Sequence, residues 1–133
     1  LGLCYFAYYW YDVSIGNPFD LIEMYYLATG IKLTVEDITR KGLRCHNIER
    51  YLSYLFGGFD RKDDIVPDRF FDTPISEGRY KGLHLERIQV DCMLDEYYEW
   101  LGWNKETGLP SDKLLEKFEL GYLLKIKNNG DIR

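Results

Sequence analysis

Little in this chain suits a self-contained catalyst. Of its 133 residues only three are cysteines and two are histidines. Cys4, Cys45 and Cys92 are odd in number and never fall in a CxxC spacing, which excludes a disulfide framework and a zinc site built from this chain alone. That cysteine usage points to a reducing, cytoplasmic setting. No Ser-His-Asp, Cys-His, Walker or dinucleotide-binding pattern occurs, so no residue here is assigned a catalytic role. Long apolar runs are missing too. Leu1 to Trp10 is too short to span a bilayer and lacks the basic flank and small-residue cleavage site of a signal peptide, so it reads as a buried helix and no membrane partner is expected. Seventeen basic residues against 22 acidic ones leave a net charge of -5. Phosphate backbones need clustered cations, so nucleic acid is excluded as a partner. The first residue is not methionine, and the expectation is a portion of a longer polypeptide.

Aromatic and apolar residues are abundant. Apolar residues make up 46% of the chain and aromatics 17%, with 12 Tyr, 7 Phe and 3 Trp, enough for one domain with a real core and an excess that points to surface meant for a partner. The punctuation predicts an all-α, irregular helical domain of about five helices. The first runs from Cys4 to about Val13. The second starts at Pro18, carries Phe19, Leu21, Ile22, Met24, Tyr25, Leu27 and Ala28, and is capped by Gly30. The third starts at Thr34, whose hydroxyl caps the following amides, with Asp37 completing an acidic capping box, and stops at Gly57-Gly58. Its core stripe is Val35, Ile38, Ile48, Tyr51, Leu52 and Leu55, and Gly42 within it predicts a close helix crossing. From Phe59 to Gly82 periodicity vanishes, giving a long structured loop between the third and fourth helices. The fourth helix spans about Glu86 to Leu101 and closes at Gly102, and a short fifth opens at Pro110-Ser111. No alternation strong enough for a sheet is found.

Few side-chain constellations suggest chemistry. Cys4 follows Gly2-Leu3 at the head of an aromatic helix, where a thiol is either a small buried hydrophobe or, with glycine permitting close approach and the helix start favouring thiolate, a metal or cluster ligand. Cys45 and Cys92 read as packing residues, and His46 and His84 as hydrogen-bonding or surface histidines, since none has a second ligand at metal spacing. Asp60-Arg61-Lys62-Asp63-Asp64 reads as a turn held by ion pairs, lacking the oxygen spacing of a calcium loop. Asp68-Arg69 and Glu49-Arg50 read as carboxylate-guanidinium pairs that pin the loop to the helices. Tyr97, Tyr98, Trp100 and Trp103 fit an aromatic core cluster.

The order of these motifs resembles the tungsten-containing aldehyde:ferredoxin oxidoreductases, in the C-terminal helical portion of their subunit. Leu1-Gly2-Leu3-Cys4 is similar to the end of that family's D-x-x-G-L-C motif, and Asn47-Ile48-Glu49-Arg50 resembles its N-l-E-R element. Gly58 to Phe70 is similar to G-f-x-R-x-D-D-x-l-P-x-R-f, Met93 to Trp103 to M-L-d-x-Y-Y-x-x-x-G-W, and Gly108-Leu109-Pro110 to G-x-P. Two departures stand out: Leu101 takes the place of an arginine, and Phe118-Glu119-Leu120 that of L-G-L. The resemblance implies a parent subunit in which tungsten (or molybdenum) held by two pterins oxidises a small-molecule aldehyde to a carboxylate and electrons leave through a four-iron four-sulfur (4Fe-4S) cluster to ferredoxin. It implies Cys4 as the cluster's metal-ligating thiolate and Gly2 and Leu3 as the segment against a pterin. Arg61, Asp63, Asp64, Pro67 and Arg69 are then architecture. The remaining ligands and the N-terminal domains of the same subunit would lie outside this chain, which by itself is expected to be inactive and to bind neither metal nor pterin. The alternative is a stand-alone acidic helical module that binds a protein partner without redox activity.

Overall fold

The computed structural model describes residues 18–128, so the expected first helix and Gly2, Leu3 and Cys4 lie outside the described residues. Six helices and one two-stranded ribbon follow: α1 Pro18–Thr29, α2 Val35–Gly57, α3 Arg69–Asp72, α4 Arg87–Leu101, β1 Trp103–Asn104, β2 Leu109–Pro110, α5 Asp112–Lys117 and α6 Tyr122–Asn128. The helical class is as expected. The chain divides into two compact units, Leu1–Cys45 and His46–Arg133, with α2 running across the division.

In the first unit the start of α2 is fixed by the expected reciprocal cap. The Asp37 amide donates to Thr34 Oγ1 at 3.1 Å while the Thr34 amide donates to Asp37 Oδ2 at 2.9 Å, satisfying donors that a helix start leaves without partners. Those bonds hold the Asp37 carboxyl below its usual range. No described residue of this unit is fully buried, and Phe19, Met24 and Leu27 of α1 are exposed. Gly42 has nothing within 4 Å of where a side chain would begin, so the expected close helix crossing is not made among the described residues.

The core sits in the second unit, in Tyr51 from α2, Tyr98 and Leu101 from α4, Trp103, and Leu115, Phe118, Leu120 and Leu123 from the C-terminal elements. Of the stripe expected on α2 only Tyr51 is buried; Val35, Ile38, Ile48, Leu52 and Leu55 are half-buried, while Asn47 on the same helix is buried. The Tyr51 hydroxyl is buried without a hydrogen-bond partner among the described residues, a cost of about 1–3 kcal/mol that burial of its ring must offset.

Three differences from expectation have simple causes. The ribbon pairs Trp103 with Pro110 and Asn104 with Leu109; strands of two residues are too short to show alternation. The helix α6 was not anticipated, and α3 interrupts the long loop with a single turn. Cys45 and Cys92, expected to pack inside, are both exposed. Cys92 lies on α4 away from the inward positions Val90, Leu94, Tyr98 and Leu101, and residues two apart on a helix do not share a face.

The departure at the end of α5 has a structural consequence. Glu119 adopts φ +61°, alone among the described residues other than glycine in having a positive φ. Its amide closes on the Glu116 carbonyl at 2.9 Å and the next amide, of Leu120, on Leu115 at 2.8 Å, the left-handed helix end that glycine occupies most cheaply. Replacing Glu119 by glycine is therefore expected to stabilise the protein by about 1 kcal/mol, read as a raised urea midpoint with an unchanged slope.

Candidate functional site

The second unit gathers its charged and aromatic groups around one guanidinium. Arg50, on α2, donates from Nε to the Gly108 carbonyl at 2.8 Å and from Nη1 to Asp64 Oδ1 at 2.8 Å, while Nη2 pairs with Asp64 Oδ2. The same carboxylate accepts the Tyr98 hydroxyl of α4. Side-chain exposure is 12% for Arg50 and 28% for Asp64, so this fork-on-fork pair is partly withdrawn from water, where each bond is stronger and each loss costlier. The guanidinium carbon also lies 5.6 Å from the Trp103 ring centre.

A second arginine repeats the arrangement one layer out. Arg61, in the short 3-10 turn Arg61–Asp63, donates from Nη1 to Asp95 at 2.6 Å and to the Lys105 carbonyl at 2.7 Å, lies 5.3 Å from the Tyr98 ring centre, and has its own amide bonded to the Thr107 carbonyl at 2.9 Å. The turn beneath it closes as expected. Asp60 accepts from the Lys62 amide at 2.9 Å and pairs with its ammonium at 3.0 Å, contacts that hold the Asp60 carboxyl low and the Lys62 amine high. The aromatic layer is built on Trp103, whose Nε1 donates to Asn47 Oδ1 at 2.8 Å and whose ring stacks on His46 at 5.1 Å and Tyr98 at 6.1 Å. His46 Nε2 and the Tyr97 hydroxyl are 2.7 Å apart.

Two pairings differ from expectation. Glu49-Arg50 and Asp68-Arg69 are not ion pairs: Arg50 takes Asp64, and Asp68 joins Asp72 on Arg87 at 2.9 and 3.3 Å. Neighbours in sequence on a helix point in different directions, so the partner comes from another element. Within the expected aromatic cluster Tyr98 and Trp103 are buried, while Trp100 is exposed. His84 is exposed and pairs with Glu86 at 3.2 Å.

Gly108 is the component that sequence reading left without a role. Its backbone has φ +66°, and a Cβ there would lie 2.7 Å from Arg50 Nη2 and 2.9 Å from the Tyr98 hydroxyl. Glycine is thus demanded twice, by the left-handed backbone and by close approach. The signal available was the G-x-P motif itself.

A cleft of about 390 Å³ opens beside this network, lined by His46, Glu49, Arg50, Val90, Leu94 and Tyr97 among others. Of its charged walls Arg50 and Asp64 are engaged with each other, which suits a brace better than a reaction centre. Among the described residues no three His, Cys, Asp or Glu side chains converge as a metal ion requires. The described residues by themselves therefore do not build a tungsten or iron-sulfur site. No helix among the described residues is long and apolar enough to cross a membrane.

Two outcomes test the network. Asp64→Ala leaves a withdrawn guanidinium without its partner and should cost about 3 kcal/mol, and Gly108→Ala should cost about 2 kcal/mol or more. Because both break the same lock, the double variant should lose clearly less than the sum, as measured by a urea-unfolding cycle. The second concerns alkaline pH. Burial first, and then the bond to Asp64, push the Tyr98 hydroxyl above its ordinary value, and burial does the same for Tyr51 and Tyr97. A phenol that holds its proton more tightly folded than unfolded lends stability that is fully present below about pH 10, the unfolded value, and is lost as pH rises from there through the folded value. Stability should therefore fall above about pH 10, with a shallower fall in Tyr98→Phe.

Comparison with known proteins gives this geometry a family. Residues 1–120 match the family model described as aldehyde ferredoxin oxidoreductase, domains 2 and 3. The tungsten-containing aldehyde ferredoxin oxidoreductase of Pyrococcus furiosus is 34% identical over 115 residues, which are 86% of this chain and 18% of that protein. That of Thermococcus kodakarensis is 33% identical over the same shares. An aliphatic sulfonate oxidoreductase, WOR-like subunit, of Pyrococcus furiosus is 34% identical over 107 residues, 76% of this chain and 17% of that protein. The chain thus spans less than a fifth of the length of the curated relatives it matches. With four of its five motifs meeting around Arg50 and its length matched almost throughout, the chain belongs to the aldehyde ferredoxin oxidoreductase family, in the C-terminal portion of its subunit.

Proposed function

We propose that this chain is the C-terminal helical part of a cytoplasmic tungsten-dependent oxidoreductase subunit that converts an aldehyde and water to a carboxylate and passes the electrons to ferredoxin. The family match over residues 1–120 carries the reading, supported by relatives named for tungsten and aldehyde. A pterin-held tungsten would supply the oxidation and a 4Fe-4S cluster the exit of electrons. This chain's own share is Cys4 as one thiolate of that cluster, with Gly2 and Leu3 lying against the pterin. The Arg50-centred network of the second unit gives the parent subunit a rigid helical module, and no described residue of it is assigned to the chemistry. The relative named for aliphatic sulfonates is as similar as the aldehyde enzyme, so a sulfonate is the second substrate class to try.

The test uses the complete reading frame, expressed anaerobically with tungstate. The purified subunit is expected to contain tungsten and iron and to oxidise short aldehydes with ferredoxin as acceptor. Cys4→Ala should bring its iron content close to background while the fold survives, as followed by metal analysis and circular dichroism. Iron content unchanged by that substitution removes Cys4 from the ligand set; turnover of a sulfonate but of no aldehyde transfers the substrate assignment.

A further inference from the structure

Tyr51, Tyr97 and Tyr98 of the second unit differ in what their hydroxyls meet. That of Tyr51 meets no hydrogen-bond partner among the described residues. That of Tyr98 donates to Asp64, but this carboxylate is already held by Arg50 through both oxygens, and a carboxylate is a far weaker base than an imidazole. Of the three, only Tyr97 lies against a base able to take its proton: its hydroxyl is 2.7 Å from His46 Nε2, within the reach that proton transfer requires. In the tautomer with its proton on Nδ1, the imidazole accepts that hydroxyl at Nε2. Trp103 touches both partners, its ring edge-on to Tyr97 at 6.1 Å and stacked on His46 at 5.1 Å.

We propose that Tyr97 and His46 form a proton-coupled one-electron donor, reached through Trp103, that quenches radical oxidants of the azidyl or peroxyl class. A phenol that loses an electron but keeps its proton is a high-energy cation, whereas one that also hands the proton to an imidazole becomes a neutral phenoxyl radical. Trp103 has no such outlet. Its Nε1–H donates to the Asn47 amide oxygen at 2.8 Å, which is not a base at neutral pH, and the Arg50 guanidinium 5.6 Å from the ring centre opposes positive charge there. Once a radical oxidant has taken an electron from Trp103 and become its anion, the Tyr97 O–H bond breaks, its electron refills the indole and its proton moves to His46 Nε2. The resulting imidazolium is stacked on the indole face, where a cation is favoured. A thiolate returns one electron to the phenoxyl, becoming a thiyl radical, and the proton comes back from His46. The pair needs no tungsten, cluster or aldehyde, so its test is independent of the oxidoreductase reading.

Pulse radiolysis of the full-length subunit with azidyl radicals, which take single electrons from indoles, tests it. Tryptophanyl absorption is expected to decay into tyrosyl absorption in a phase whose rate is independent of protein concentration and lower in heavy water. Tyr97→Phe should remove that phase. His46→Gln, which keeps an acceptor for the hydroxyl but offers no base, should slow it about tenfold or more while circular dichroism stays unchanged, an effect that a merely structural hydrogen bond does not produce. A phase of native rate and amplitude in Tyr97→Phe would overturn the proposal, as would one in His46→Gln that keeps the native rate. If His46→Gln does not fold, the native subunit decides: a phase equally fast in light and heavy water overturns the proposal, and a slower one in heavy water that Tyr97→Phe abolishes supports it.

Discussion

The second unit depends on keeping one positive charge satisfied away from water. A guanidinium as withdrawn as that of Arg50 is tolerated only where it is paired and hydrogen-bonded, and here two elements besides α2 supply the partners: the ribbon, with the Gly108 carbonyl and the Trp103 ring, and the long loop, with both oxygens of Asp64. Asp64 then carries the constraint to α4 through Tyr98. The loop, the ribbon and α4 are thereby fixed against α2 by directional bonds rather than by apolar area alone. This matters in a small unit whose fully buried apolar residues are few. Gly108 follows from the same requirement, since no side chain fits between Arg50 and Tyr98.

The arrangement explains why the motifs that carry the family resemblance are so far apart in sequence. Of the five motifs, four lie in the described residues: Asn47 and Arg50 come from one, Arg61 and Asp64 from a second, Asp95, Tyr98 and Trp103 from a third and Gly108 from a fourth, and all of these residues bond within a single network. The structure gives these residues the role of holding the unit together. Partners in such a network are costly to lose one at a time, because each loss leaves another polar group buried and unmet.

Helix boundaries were legible because their causes are local. Thr34 with Asp37 starts α2, Ser111 caps α5 by accepting from the Leu114 amide at 3.3 Å, and Gly30, Gly57-Gly58 and Gly102 end their helices where expected. Partner choice was not legible. Placing Arg50 with Glu49 used sequence adjacency, whereas its true partner is set by a loop that returns fourteen residues later. Burial was legible only in part for the same reason: α4 shows a broad apolar circumference in its sequence, but only the fold reveals that Tyr98 and Leu101 are inward and that Cys92 and Trp100 are not. The expected ligand Cys4, with Gly2 and Leu3, rests on motif resemblance, since those positions lie outside the described residues.

A brace of this kind separates stability from specificity. Relatives named for an aldehyde and for an aliphatic sulfonate are each 34% identical to this chain across the shared region, so similarity over this region does not by itself separate the two substrate classes. Residues committed to one another in this way leave few side chains free to discriminate between substrates. The charged groups that meet at Arg50 and Arg61 are spent on mutual bonds, while large apolar groups such as Met93 and Trp100 face outward along α4. On the proposed reading, substrate choice then falls to segments of the parent subunit outside this network.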